Sequence, residues 1–233
     1  MSVVRVPASP GSTPASEAEL ALRAAALAGV RLGDLAARLG RSVPPDLRRA
    51  KGFVGQLVEL GLGATAGSRA GPDFAELGIE LKTLPVDEKG KPVESTFVCT
   101  ISLPAVGDIE WEQSPVRAKL ARVLFVPVEG ERERPVAERR LGTPLFWSPS
   151  VEDERDLKFD WDELSGRIGR GDVESITGHL GRYLQVRPKA ADSHARRRAF
   201  DAEGVAFAAL PRGFYLRALF TERIVRAHYA LVR

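Results

Sequence analysis

In the stretch GPDFAELGIELKTLPVD, Gly71 to Asp87, an acidic residue at 73 is followed by Glu80 and, two positions on, by Lys82. Hydrolysis of a phosphodiester needs charge neutralised on the phosphorus oxygens and a water made nucleophilic. Mg²⁺ can do both while held by one or two carboxylates and several waters. Asp73 and Glu80 could supply the carboxylates, with the backbone carbonyl of Leu81 as a further oxygen. Lys82 could steady the attacking water or the developing negative charge. Glu59, on the helix before a glycine-rich loop, could reach the same metal. The bare pattern D-x6-E-x-K is weak, because any charged strand face can generate it, and an exposed salt-bridge pair is the alternative.

The elements that would position these groups follow from periodicity. In GIELKT, Ile79 and Leu81 point one way and Glu80 and Lys82 the other, the alternation of a half-buried strand. On a helical wheel Phe53, Leu57 and Leu60 fall together, while Gly55, Gln56 and Glu59 share another side. Residues 1–15 are rich in Pro, Ser, Ala and Gly and are expected to be disordered. SEAE offers a capping box, Ser16 with Glu19, for a first helix running to about Gly29. RLGDLAARLG reads as a second helix, and PPDLRRAKGFVGQLVELGLG as a third with prolines in its first turn. STFVCTIS and RVLFVPVE read as strands, the former near-continuously apolar and so expected to be central. SPVRAKLA between them reads as a short helix with Ser114 as its cap. An acidic helix over 151–169 is followed by a short helix near Val173, a strand YLQVRP, an Arg-rich helix SHARRRAF, a hairpin-like FAALPRGFYL and a terminal helix from about Leu219. The fold class is α/β in the sense of mixed α+β.

The 233 residues, 44% hydrophobic, support a real core. The net charge of +3 is too balanced to make the whole molecule a nucleic-acid binder, but its distribution is uneven. His179–Arg233 holds 11 basic and 4 acidic residues, so the remainder is net acidic. This fits a basic surface for a polyanion, or a basic terminal helix that aids solubility. One cysteine, Cys99, excludes an internal disulfide framework and is expected to be a buried thiol in a reducing compartment. No apolar run reaches a membrane span and MSVVRVPASPGSTPAS has too short an apolar core for a secretory signal, so a cytoplasmic protein is expected. The glycines at 61, 63 and 67 miss the dinucleotide-binding spacing, and His179, His194 and His228 have no metal-ligand spacing.

The blocks KGFVGQLVELGLGATAGSRAGPDFAELGIELKTLPVD, ESTFVC, VPVEGER, LFWSPS, YLQVRPKA and LPRGFYL carry a resemblance to the MutH mismatch-repair endonucleases, in the same order and along nearly the whole chain after residue 16. The resemblance implies a restriction-endonuclease-like fold with two lobes around a DNA-binding cleft: an N-terminal lobe of about 16–70 and a C-terminal lobe of about 71–233 within one domain. It implies Mg²⁺-dependent nicking, with Mn²⁺ as a substitute, of the unmethylated strand at hemimethylated GATC in double-stranded DNA, 5′ of the G. It also implies activation by MutL, with MutS acting indirectly, and a monomeric, non-membrane protein. Carried over by position, the metal-binding carboxylates are Glu59, Asp73 and Glu80 and the catalytic lysine is Lys82, with Lys119 a further active-site lysine. Arg187, Pro188 and Lys189 match the loop that reads the recognition sequence, Tyr215 the residue that senses adenine methylation, and Lys51 and Phe97 further DNA contacts.

Two other readings fit parts of this pattern. A GATC-specific type II restriction endonuclease would share the catalytic set, but it must cut both strands and here there is one copy of the motif. A non-catalytic DNA-binding or MutL-binding module would not need all four of Glu59, Asp73, Glu80 and Lys82.

Overall fold

The computed structural model describes residues 12–47, 50, 52–64, 71–189 and 195–229. In chain order the elements are α1 (Glu17–Ala25), α2 (Leu32–Arg38), α3 (Phe53–Leu62), β1 (Glu80–Val86), β2 (Thr96–Thr100), α4 (Pro115–Leu120), β3 (Val123–Glu129), β4 (Leu145–Trp147), α5 (Val151–Gly169), β5 (Leu184–Pro188), β6 (Arg197–Phe200), β7 (Ala206–Ala209), β8 (Arg212–Leu216) and α6 (Ala218–Tyr229). The mixed α+β class holds. Among the described residues no helix is long and apolar enough to cross a membrane.

The chain divides into two compact units, residues 1–93 with 122–147, and residues 94–121 with 148–233. The first unit is built on the strand order β1-β3-β4, with β1 and β3 parallel and β4 antiparallel to β3. Val123 through Val128 are all buried, as the central strand of a covered sheet requires. Leu20, Leu32, Leu35, Leu57, Val58 and Leu62 from the three helices share one core with Ile79, Leu81, Leu124 and Val126. Ser16 caps α1 by accepting from the Glu19 N–H, but the Glu19 carboxylate turns to the Ala15 N–H, so the box is not reciprocal. Residues 12–15 lie within the segment expected to be disordered, yet Pro14 is buried and Arg23 donates to the Ser12 carbonyl at 2.5 Å. Residues 1–11 lie outside the described residues.

The second unit centres on an antiparallel sheet, β2-β8-β5. Its apolar face, with Val98, Leu184, Val186, Phe214 and Leu216, is buried, and the Phe214 ring meets Trp161 of α5 at 4.9 Å. α5 begins with a reciprocal capping box between Ser150 and Asp153 and buries Leu157, Asp160, Trp161, Leu164 and Ile168, the stripe of an amphipathic helix.

Several sequence expectations are corrected here. β2 lies at the edge of its sheet and β8 is central, because β8 pairs with a strand on each side. The Arg-rich segment forms strand β6, not a helix, since pairing with β7 overrides the helical propensity of Ala and Arg. FAALPRGFYL is not a hairpin: β7 pairs with β6 whereas β8 pairs with β2 and β5. Only turns occur near Val173. α3 starts at Phe53, so Pro44 and Pro45 precede it rather than occupy its first turn. Pairing of β1 with β3 recruits 122–147 to the N-terminal segment, so Glu59 falls in the same unit as Asp73, Glu80 and Lys82.

Candidate active site

The first cluster is made by a tight reversal of chain. Phe74 and Ile79 form an antiparallel bridge, with Phe74 N donating to Ile79 O at 2.9 Å and Ile79 N to Phe74 O at 3.3 Å. The four residues between them close through a 3-10 turn at Ala75–Leu77 and Gly78 at φ +66°, a left-handed conformation that glycine adopts without strain. Antiparallel register then sets Asp73 opposite Glu80, which is the physical content of the six-residue gap. The Asp73 carboxylate accepts from the backbone N–H of Leu81 at 2.8 Å, fixing it against the first residues of β1.

Glu80 begins β1, its backbone N–H donating to Arg122 O at 2.9 Å. Its residue is only 2% exposed, so it does not lie on a solvated strand face. The Lys82 ammonium lies 2.6 Å from Glu80 Oε1 with its side chain 13% exposed. Withdrawing both charges from water costs free energy that an apolar pair would not, so this pair is weak as a stabilising device. Glu59 lies on α3, partly buried, in the turn after Gly55. Among the described residues, no three His, Cys, Asp or Glu side chains gather into a metal-holding group. The donors at Asp73 and Glu80 are hard oxygens, and Mg²⁺ needs only one or two carboxylates because it keeps several waters. These residues therefore fit that ion better than zinc.

The second cluster lies on the polar face of β2-β8-β5. Side chains alternate along β5, so Gln185 and Arg187 share a face, with Lys189 just beyond the strand in the same phase. Tyr215 pairs with Gln185 on one side and Phe97 on the other. The Phe97 and Tyr215 rings meet edge-on, centroids 5.3 Å apart. The Arg187 guanidinium sits 5.7 Å from the Tyr215 ring and the Lys189 ammonium 3.9 Å from the Phe97 ring. Arg187 and Lys189 are exposed. Burial pushes the Tyr215 hydroxyl above its ordinary value, and the Arg187 charge pulls it the other way. Gly213 makes the arrangement possible: a Cβ there would lie 2.9 Å from Phe97 Cε2 and 3.0 Å from Cys99 O.

Of the residues singled out in the sequence, Asp73, Glu80 and Lys82 come together in the first unit, and Phe97, Arg187, Lys189 and Tyr215 in the second. Pro188, exposed and paired with Arg212, falls on the alternate phase from Arg187 and Lys189. Lys119 lies on α4, partly buried, in the second unit. Lys51 lies outside the described residues. Two residues were not singled out. Gln185 donates to Ser95 Oγ at 2.5 Å, and its signal is the alternation Q-x-R-x-K. Asp160, 1% exposed, accepts from the N–H groups of Arg182, Tyr183 and Leu184 at 2.8, 2.6 and 2.8 Å and so fixes the entry to β5. No local pattern marks it within an acidic helix.

Residues 62–160 match the family model for the DNA mismatch repair enzyme MutH. The DNA mismatch repair protein MutH of Vibrio cholerae serotype O1 is 54% identical over 217 residues, covering 93% of this chain and 98% of that protein. The protein of the same name from Salmonella paratyphi C is 53% identical over 218 residues, 94% of each chain.

Proposed function

From the premise that this chain belongs to the MutH family and is a mismatch-repair endonuclease, we propose that it nicks the unmethylated strand at hemimethylated GATC, 5′ of the G, with Mg²⁺ as cofactor and Mn²⁺ as a substitute. The observation that carries the reading is the buried carboxylate of Glu80 with Lys82 2.6 Å away and Asp73 fixed on the next backbone N–H. A divalent ion held by Asp73 and Glu80 would supply charge neutralisation at the phosphate and a more acidic water, and Glu59, in the same unit, is the further carboxylate that the MutH resemblance implies. The chain's own groups do the rest. The Leu81 N–H orients the Asp73 carboxylate beside the start of β1. Lys82, a compact ammonium held beside Glu80, can steady the attacking water or the developing negative charge. Lys119 is a further lysine of the reaction.

Recognition belongs to the second cluster. Arg187 and Lys189 have the donors that pair with O6 and N7 of guanine, and Tyr215 has an edge that meets or avoids the methyl on adenine N6. Phe97 and Gly213 hold Tyr215 in place, while Pro188 stiffens the reading loop and Lys51 adds a contact to the backbone. The restriction-endonuclease-like fold, with DNA bound in a cleft, action as a monomer, activation by MutL and an upstream role for MutS complete the reading.

A supercoiled plasmid carrying GATC tests it. Mg²⁺ should convert it to the open circle, and Ca²⁺ should support binding without cutting. Asp73→Ala, Glu80→Gln and Lys82→Ala should each lower single-turnover nicking by about a hundredfold or more while GATC binding in Ca²⁺ stays within a few-fold. Lys82→Arg should not restore it, since a planar guanidinium cannot replace a point charge. Linear product from the wild type would support restriction instead. Nicking that survives Glu80→Gln would place the chemistry elsewhere.

A further inference from the structure

β6 and β7 form a two-stranded ribbon separate from both three-stranded sheets. Arg197 pairs with Ala209, Arg198 with Ala208, Ala199 with Phe207 and Phe200 with Ala206. Alternation puts Ala199 and Ala209 on one face, and both are buried. Arg198, Ala206 and Ala208 share the other face and are exposed, with Phe200 beside them half-buried. Arg197 is exposed as well.

Some arginines elsewhere are tied to carboxylates: Arg117 to Glu154, Arg122 to Glu17, Arg134 to Glu131 and Arg223 to Asp153. Among the described residues, Arg197 and Arg198 have no such partner. Arg197 donates to the Arg196 carbonyl at 3.1 Å, and Arg198 stacks over the Phe200 ring at 4.8 Å. The following acid, Asp201, instead closes the turn by accepting from the N–H groups of Glu203 at 3.1 Å and Val205 at 2.7 Å. Stacking on Phe200 pre-orients the guanidinium of Arg198. Opposite it, Ala206 and Ala208 are too short to obstruct an approaching chain. The result is an open concavity lined by Arg196, Arg197, Arg198, Ala206, Phe207 and Ala208.

Two exposed guanidinium groups with no carboxylate partner among the described residues suit an anion. Alternation starts the Arg197 and Arg198 side chains on opposite faces of the ribbon, yet both border the one concavity, a spread that suits successive phosphates better than adjacent base edges. Phosphates running along the ribbon's edge can be reached from either face. We propose that the β6–β7 ribbon grips the sugar-phosphate backbone of duplex DNA flanking the recognition tetranucleotide, adding affinity without reading sequence. This rests on the chain being a GATC endonuclease.

The test is equilibrium binding in Ca²⁺ across a series of salt concentrations, on a minimal GATC duplex, the same site with long flanks, and a long scrambled duplex. The wild type is compared with Arg197→Gln/Arg198→Gln and Arg197→Lys/Arg198→Lys. On the long duplex the Gln pair should weaken binding and flatten the slope of log K against log salt by about two, one for each lost phosphate contact. The Lys pair should keep the slope, and the ratio of GATC to scrambled affinity should hold in both. On the minimal duplex the wild-type slope should already be shallower. An unchanged slope in the Gln pair, a fall in the GATC-to-scrambled ratio, or equal loss on short and long duplexes would overturn the proposal. Should the Gln pair fail to fold, the wild-type difference between short and long duplexes decides: equal slopes overturn it. A wild type that binds GATC and scrambled DNA alike, or neither, would instead refute the underlying reading of the site.

Discussion

Tyr215 shows how much a single side chain can be asked to do. Its ring is held between Phe97 and the Arg187 guanidinium, so the edge it presents is set by packing rather than by its own freedom. Removing the ring forfeits an aromatic pair worth about 0.5–1.5 kcal/mol and, in the proposed function, the contact with the adenine edge. Tyr215→Ala should shrink the preference for unmethylated over methylated target strands by roughly ten- to a hundredfold, the loss expected of a base contact worth about 1–3 kcal/mol. Tyr215→Phe keeps the packing, so retained discrimination would assign the effect to shape and lost discrimination to the hydroxyl. Single-turnover nicking of unmethylated, hemimethylated and fully methylated duplexes at one salt concentration reads the ratios. Equal slowing of all three by Tyr215→Ala would make the residue a packing element only. Because burial raises the hydroxyl's pKa, it stays protonated past its ordinary value near 10, and discrimination by this group should be flat from roughly pH 6 to 9. Its linkage to stability has the same sign: constant below the unfolded pKa and falling only as pH rises through the folded one.

At the level of elements, β5 carries Arg187 and leads into Lys189, the residues proposed to read DNA, but is positioned from α5. Asp160 takes three backbone N–H groups at residues 182–184, and all would be left without an acceptor in Asp160→Ala. Buried unsatisfied donors cost about 1–3 kcal/mol each, so a loss of about 3–5 kcal/mol is expected, allowing for relaxation. Chemical denaturation measures it, and a loss below about 1 kcal/mol would show that the turn holds without the carboxylate. What the sequence reveals and what it hides divide along the same physical line. The alternation in GIELKT and the apolar stripe of α5 are local, and both elements are where periodicity puts them. The burial of Glu80 is not local, because it depends on β3 and the surrounding core, so a charged strand face and an interior ion pair look alike in the sequence. The Arg-rich strand β6 was hidden for the same reason: its partner β7 lies beyond a turn, and Arg and Ala by themselves favour helix. Asp160 has no local signature because its three partners are 22 to 24 residues away.

For the whole molecule, the grouping of residues matters more than their order. The segment between β1 and β3 leaves the first unit to contribute β2 and α4 to the second, and the chain then returns to pair β3 with β1. Asp73, Glu80 and Lys82 thus share a unit with Glu59, while Phe97, Lys119, Arg187, Lys189 and Tyr215 belong to the other. In the proposed function the carboxylates and Lys82 lie in one compact unit and the DNA-reading residues, with Lys119, in the other, so variants at Glu80 should spare binding and variants at Arg187 should spare the metal-dependent step once DNA is bound. The proposed function requires that one duplex satisfy both. A hemimethylated duplex with a single GATC, labelled differently on its two strands and incubated with Mg²⁺ under single-turnover conditions, tests that requirement most directly. Cleavage confined to the unmethylated strand, 5′ of the G, and abolished by Glu80→Gln is the expected result. Cleavage of both strands, or of the methylated strand, or cleavage that persists in Glu80→Gln, would contradict it.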